Sequence, residues 1–127
     1  MAKILLVEDD VLFLKSITYL LKQHGYEVDA AKDGKEANHF LDSHLYDLVI
    51  TDLMLPFVHG FELVHKIKNK LSHKTPVIVI SAITDEATIT DSFKLGVEEY
   101  IKKPVIQKEL LLRIQRIIQM ENKIGIY

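Results

Sequence analysis

An α/β fold, in which a parallel sheet is covered by helices on both faces, is the class that this 127-residue chain predicts, and three observations predict it. Strand-length apolar runs alternate with helix-period stretches in the order βαβαβαβαβα, with short connections that right-handed crossovers close into one sheet. The runs are apolar and β-favouring: Ile4-Leu5-Leu6-Val7, Leu48-Val49-Ile50, Val77-Ile78-Val79-Ile80 and Tyr100-Ile101. Each leads into a string rich in polar chemistry: Val7-Glu8-Asp9-Asp10, Thr51-Asp52-Leu53-Met54, Ile80-Ser81-Ala82 and Lys102-Lys103-Pro104. Chemistry in an open parallel sheet gathers in the crevice beyond the carboxyl ends of the strands, so the four strings are expected to meet there.

Residues 3–8 read as the first strand and 11–24 as the first helix, with Leu14, Ile17, Leu20 and Leu21 on its inner stripe and Gly25 as its stop. Residues 27–31 make a short second strand. Asp33-Gly34-Lys35-Glu36 places an acid at a cap and Glu three residues on, a capping-box variant that opens the second helix with Ala37, Phe40 and Leu41 inward. Residues 47–52 form the third strand and Pro56 to Gly60 a loop. Leu63, Val64, Ile67 and Leu71 then mark the third helix. Residues 76–81 form the fourth strand, with Pro76 at its first position, where a missing donor is tolerated. The fourth helix, about 85–95, works against its own composition, because the β-branched Thr88, Ile89 and Thr90 lose rotamer freedom in a helix. Gly96 ends it. Residues 98–102 form the fifth strand and 107–122 a strongly apolar last helix. One domain over 1–122 is expected, with 123–127 a tail or the start of a linker.

Composition bounds the partners. An apolar content of 48% supports a single buried core, and a net charge of -2 leaves no whole-chain footprint for nucleic acid. The chain has no cysteine, which excludes disulfides and thiolate metal sites. Met1-Ala2-Lys3 runs directly into a strand without a leader pattern, and the longest apolar runs fall far short of the roughly 20 residues of a membrane span. A cytoplasmic domain without membrane contact is the expectation.

Taken singly, the strand-end residues have ordinary readings. Asp10 at a helix start is a cap, Asp52 a turn starter, Ser81 a structural hydroxyl and Lys103 a surface lysine. Three contiguous acids nevertheless exceed what a cap needs, and Leu53-Met54-Leu55-Pro56 is not a simple polar turn. Strand order 2-1-3-4-5 would line up the ends of strands 1, 3, 4 and 5 as acid pair, acid, hydroxyl and ammonium. Hard oxygen donors without a soft partner point to Mg²⁺ rather than zinc. The set is an inventory for a divalent cation and a phosphoryl group.

Glu8/Asp9, Asp52, Ser81 and Lys103-Pro104, with the string Asp47-Leu48-Val49-Ile50-Thr51-Asp52-Leu53-Met54-Leu55-Pro56, Gly60 and Gly96, resemble the receiver domain of two-component response regulators, over nearly the whole chain. The resemblance implies a flavodoxin-like (βα)5 fold, with Asp52 as the phosphoacceptor for a sensor histidine kinase or a histidine phosphotransfer protein. It implies Mg²⁺ bound by Asp9, Asp52 and the Met54 carbonyl, with Glu8 acting through water. Ser81 would bond the phosphoryl oxygens, Lys103 would pair with them, the Lys103-Pro104 bond would be cis, and Tyr100 would turn inward on activation. Such a domain is a switch rather than an enzyme with an external substrate, and it controls an output such as transcription.

Rival readings from other classes fit poorly. A haloacid dehalogenase-type aspartyl-phosphate phosphatase wants an Asp-x-Asp motif after strand 1, where this chain has contiguous Glu8-Asp9-Asp10. A flavodoxin-type FMN protein wants a hydroxyl-rich phosphate loop there, and three carboxylates would repel it. Several features depart from the family or exceed it. Phe57-Val58-His59-Gly60 is an apolar loop, read either as a partner-facing patch or as a covered loop. The six histidines share no ligand spacing and read as solvated. Core packing accounts for Leu110, Ile114 and Ile117 of the last helix, leaving Leu111, Leu112, Ile118 and Met120 as candidates for a dimer or domain contact. Glu98, Glu99, Glu109 and Arg113 resemble a charged face through which relatives pair as homodimers on phosphorylation, with Ile89 standing where a basic residue is usual. Met54 and Ile83, two residues after the phosphoacceptor and the hydroxyl, are apolar and are expected to prolong the phosphorylated state by failing to place a hydrolytic water.

Overall fold

In the computed structural model, which describes the backbone of residues 1–70 and 75–126 and the side chains of residues 1–69 and 75–120, five strands alternate with five helices. The strands are β1 (Lys3–Val7), β2 (Glu27–Ala31), β3 (Leu48–Thr51), β4 (Val77–Ser81) and β5 (Glu99–Lys102). They pair in parallel in the order β2-β1-β3-β4-β5, so the flavodoxin-like (βα)5 fold is what forms. The helices are α1 (Val11–Gln23), α2 (Gly34–Ser43), α3 (Gly60–His65), α4 (Glu86–Lys94) and α5 (Gln107–Ile126).

The pleat divides the core in two. Leu5, Val7, Val49, Val77 and Val79 point to the side of α2 and α3, where they meet Ala37, Leu41, Leu63, Val64 and Ile67. Ile4, Leu6, Leu48, Ile50, Ile78 and Ile80 point the other way, onto Leu14, Ile17 and Leu21 of α1 and Leu110, Ile114 and Ile117 of α5. Ile118 belongs to this second core as well, which corrects its assignment to a surplus apolar face. Leu111 packs against the core edge, and Leu112 and Met120 remain exposed. Leu71 lies outside the described residues.

The elements start where caps permit. Asp10 accepts from Leu12 N and Phe13 N at the head of α1, while Asp33 accepts from Glu36 N and Glu36 accepts from Lys32 N, one residue before the cap, in the capping-box variant of α2. The β-branched triplet does not prevent α4, because Asp85 accepts from both Thr88 N and Thr88 Oγ1 and holds the first turn. The only residue α4 buries is Ser92. Strands 1 and 3 end one residue before the acids expected to close them, although backbone bonds from Glu8 N to Ala31 O and from Asp52 N to Val7 O carry the ladder one step further. Two departures lie outside the reach of periodicity. α3 loosens after His65 into a π-helical segment, Lys66–Lys70, whose Lys66 reaches Asn38 and Asp42 and whose Lys68 reaches Glu98. α5 continues to Ile126, four residues past its expected end.

Gly60 joins β3 to α3 at a point with no room for a side chain. Its N–H donates to Leu53 O at 3.0 Å, and a Cβ would sit 2.4 Å from Leu53 Cα and 2.7 Å from Leu53 O. Both contacts are backbone, so neither can swing aside. Gly60→Ala is therefore expected to cost about 1–3 kcal/mol of stability, the usual range for overpacking. It should lower the urea midpoint without changing the slope. A midpoint equal to that of the wild type would show that the turn is more yielding than its contacts indicate.

Candidate functional site

Glu8, Asp9 and Asp52 converge at the carboxyl edge of the sheet because β1 and β3 are neighbours in register, with Val7 opposite Thr51. One carboxylate oxygen from each lies within 4.8 Å of the others. Glu8 is 2% exposed and Asp52 6%, whereas Asp9 faces solvent. Lys103 arrives from the end of β5 across β4, and its Nζ donates to Glu8 Oε1 at 2.5 Å and Asp52 Oδ2 at 2.8 Å. The other Asp52 oxygen, Oδ1, accepts from Met54 N at 3.1 Å, which fixes the carboxylate plane from the following turn. Beside the acids opens a hollow of about 420 Å³ lined by Asp9, Leu53, Met54, Leu55, Pro56 and His59.

The charges do not balance. One ammonium serves two buried carboxylates, with a third beside them. Burial pushes the Glu8 carboxyl above its ordinary value, the neighbouring Asp9 pushes the same way, and Lys103 opposes both without cancelling them. Desolvation works against the Lys103 ammonium, yet its bonds to Asp52 and Glu8 prevail and raise its pKa. The sign matters for stability. A carboxyl with a raised folded pKa supports the fold fully below its ordinary value of 4.5, and that support is lost as pH rises through the raised value. Negative charge on the cluster is thus an electrostatic load that a second cation would relieve. All the converging donors are carboxylate oxygens, which suits magnesium or calcium.

The remaining candidates lie around this centre with different engagements. Ser81 is wholly buried at the end of β4, and among the described residues the partner of its Oγ is Ile83 N, at 3.1 Å, rather than Asp52. Tyr100 on β5 is half-buried and donates its hydroxyl to Ile83 O at 2.7 Å. Ile83 is consequently gripped through both its N–H and its carbonyl. The Met54 side chain is exposed, while Ile83 packs against the α2–α3 core. The Lys103-Pro104 peptide bond is cis. Phe57-Val58-His59-Gly60 is covered in part and exposed in part. Val58 covers Gly34 so closely that a Cβ there would lie 2.4 Å from Val58 Cβ, whereas Phe57, at φ 73°, is 76% exposed beneath the Lys35 ammonium. On the opposite flank Glu99 pairs with Arg113 and Arg116, and Glu98 bonds both Lys68 and Val77 N.

One contact at the centre had no individual signal in the sequence. The Lys103 Nζ lies 5.2 Å from the centroid of the Phe13 ring, on α1. The Asp10 cap three residues earlier places Phe13 in the first turn of α1, but no pattern in the sequence links it to residue 103.

The comparisons with known proteins agree on the family. The response regulator receiver domain profile matches residues 4–115. The transcriptional regulatory protein CrdR of Helicobacter pylori is 42% identical over 114 residues, and the response regulator ArlR of Staphylococcus aureus 37% over 121. These matches cover 90% and 95% of this chain but 54% of each relative, so the chain spans about half the length of those proteins. Among solved structures, a CheY-like receiver domain from Methanospirillum hungatei superposes with a TM-score of 0.91 at 29% identity, covering 97% of this chain and 98% of that one. The receiver domain of HemR from Leptospira biflexa gives 0.86 at 36%, covering 93% and 94%. With the acid cluster and its lysine at the carboxyl edge of a 2-1-3-4-5 sheet, this chain belongs to the response regulator receiver domain family, a family of signalling domains that accept phosphoryl groups.

Proposed function

We propose that Asp52 is the phosphoacceptor, taking its phosphoryl group from a phosphohistidine on a sensor kinase or histidine phosphotransfer protein in the cytoplasm. The observation that carries this reading is the Asp52 carboxylate, buried at the centre of the crevice and pinned by Met54 N and Lys103 Nζ. A carboxylate oxygen attacks phosphorus in line, the P–N bond breaks, and the imidazole nitrogen leaves with the electron pair. Charge spreads over the equatorial oxygens, and Lys103 supplies a positive partner for them. Ser81 donates its hydroxyl to the same oxygens. Bound Mg²⁺, held by Asp9, Asp52 and the Met54 carbonyl with Glu8 through water, would neutralise further phosphoryl charge. The family's use of Mg²⁺ at an acidic pocket and the oxygen-only donor set support that assignment. The chemistry is confined to the domain's own phosphorylation and dephosphorylation.

The switch runs through Ile83. Any movement of Ser81 toward the phosphoryl group pulls on Ile83 N, and Ile83 O is held by Tyr100, so the β4–α4 loop and β5 respond together. α4, which buries only Ser92, is free to shift at little cost. The α4–β5–α5 face then pairs with a second copy, once Glu98, Glu99 and Arg113 exchange partners within the chain for partners across the dimer. The output is transcription, in keeping with the name of the Helicobacter pylori relative.

Asp52→Asn is expected to abolish phosphorylation by acetyl phosphate, read as loss of one phosphoryl mass, while the thermal melt stays cooperative. A retained mass gain would move the acceptor to Asp9 or Asp10. Magnesium should raise the melting temperature, because it binds the native cluster and not the unfolded chain, with about 2.7 kcal/mol expected at a hundredfold excess over Kd. Asp9→Ala should lose that response, and a wild-type melt indifferent to millimolar magnesium would remove the metal from the reading.

The phosphorylated form should be long-lived, since Met54 and Ile83 offer no polar group to place a hydrolytic water. Introducing Met54→Asn and Ile83→Glu together should speed dephosphorylation by about an order of magnitude or more. Decay of the double variant at the wild-type rate would mean that other residues set the lifetime.

A further inference from the structure

Lys103 has a third partner that carries no charge. Its ammonium lies over the face of Phe13, 5.2 Å from the ring centroid, inside the range in which a cation is attracted by the ring quadrupole. The ring is not loosely placed. Phe13 N donates to Asp10 Oδ1 at 3.2 Å, Asp10 N donates to Glu8 Oε2 at 3.3 Å, and Glu8 Oε1 accepts from Lys103. The contacts close a circuit, Lys103 to Glu8 to Asp10 to Phe13 and back to Lys103. The α1 cap therefore sets the height of the ring above the crevice, and the half-buried Phe13 body packs against the α1–α5 core.

The three partners of the ammonium differ in what can remove them. A cation or a phosphoryl group entering the crevice competes directly for the oxygens of Glu8 and Asp52. Nothing that enters competes for the face of Phe13. An aliphatic side chain at this position would fill the same space, but it would leave a partly desolvated ammonium with no compensating attraction on that side.

We infer that Phe13 is a positioning residue for Lys103, holding the ammonium over the crevice while its carboxylate partners are exchanged for phosphoryl oxygens. This rests on the proposed role of Lys103 as the partner of the phosphoryl group, and the test separates the two. In the metal-free domain carrying 13C-labelled lysine, the Lys103 Cε–Hε signal, assigned by its disappearance in Lys103→Arg, is expected upfield of the other lysines through the ring current of Phe13. Phe13→Leu should return it to the common position, and Phe13→Tyr, which keeps the ring face, should not. In the second arm, Phe13→Leu should lower the limiting rate of phosphorylation by acetyl phosphate about two- to fivefold, the range that an exposed to half-exposed cation–π contact supports, with the half-saturating concentration unchanged. Phe13→Tyr should restore it.

An unmoved Lys103 signal in folded Phe13→Leu, or a limiting rate equal to wild type, overturns the inference. Should that variant fail to fold, replacing the ring by a pentafluorophenyl ring reverses the charge of the face at nearly constant shape. The ammonium should then leave the face, and a signal that remains upfield would again overturn the inference. If the wild type takes no phosphoryl group while the signals behave as expected, the proposed function falls and the ring–ammonium contact stands.

Discussion

Two carboxylates that the sheet has taken out of water share one ammonium, and the arrangement of the carboxyl edge depends on that shortage of positive charge. Buried ion pairs are weak sources of stability, because desolvation offsets most of the attraction. Here desolvation outweighs the attraction, as the raised pKa of Glu8 records. The fold nevertheless assembles the cluster, because the apolar strands on which Glu8 and Asp52 ride are buried on both faces and have nowhere else to go. Core packing thereby supports an electrostatic arrangement that would not form on its own account, a common condition of functional sites.

The same shortage explains why Lys103 is held by geometry as well as by charge. It reaches the crevice from β5, which two strands separate from β1, and bridges to Glu8 across β4 and β3. A flexible lysine spanning that distance has rotamer entropy to lose, and the two carboxylates together with the Phe13 face define one position for it. The circuit back through Asp10 makes the cap of α1 part of the crevice, so an ordinary helix-start residue also contributes to site geometry.

Rigidity is distributed unevenly around this centre. On the side of β3, Gly60 against Leu53 and Val58 against Gly34 lock the following loop to the sheet and to α2. On the side of β4, the loop carrying Ile83 is held by one hydrogen bond in each direction, and α4 beyond it buries little. An incoming group therefore meets a firm wall on one flank and a yielding one on the other. In the proposed switch, movement is directed toward α4, β5 and α5, the face that carries the Glu99–Arg113 ion pair.

Much of this was legible in the residues. Apolar runs of strand length, helix-period stripes and capping residues determined the element order and the parallel sheet, and strand-end acids, hydroxyl and lysine marked the crevice, because burial and local hydrogen bonding act on neighbours in the chain. Periodicity could not say that Ile118 is core, since a helix stripe is one residue wider or narrower depending on how closely α5 lies against the sheet. Nor could it reveal the π-helical turn at Lys66–Lys70, whose lysines reach partners on α2 and just before β5. The engagement of Ser81 with Ile83, the split of the Phe57–Gly60 loop into covered and exposed residues, and the seat of Lys103 on Phe13 were likewise decided only in three dimensions. Residues 13 and 103 share no element and no pattern. Their contact exists because the sheet order sets the end of β5 opposite the first turn of α1, and no local rule contains that distance.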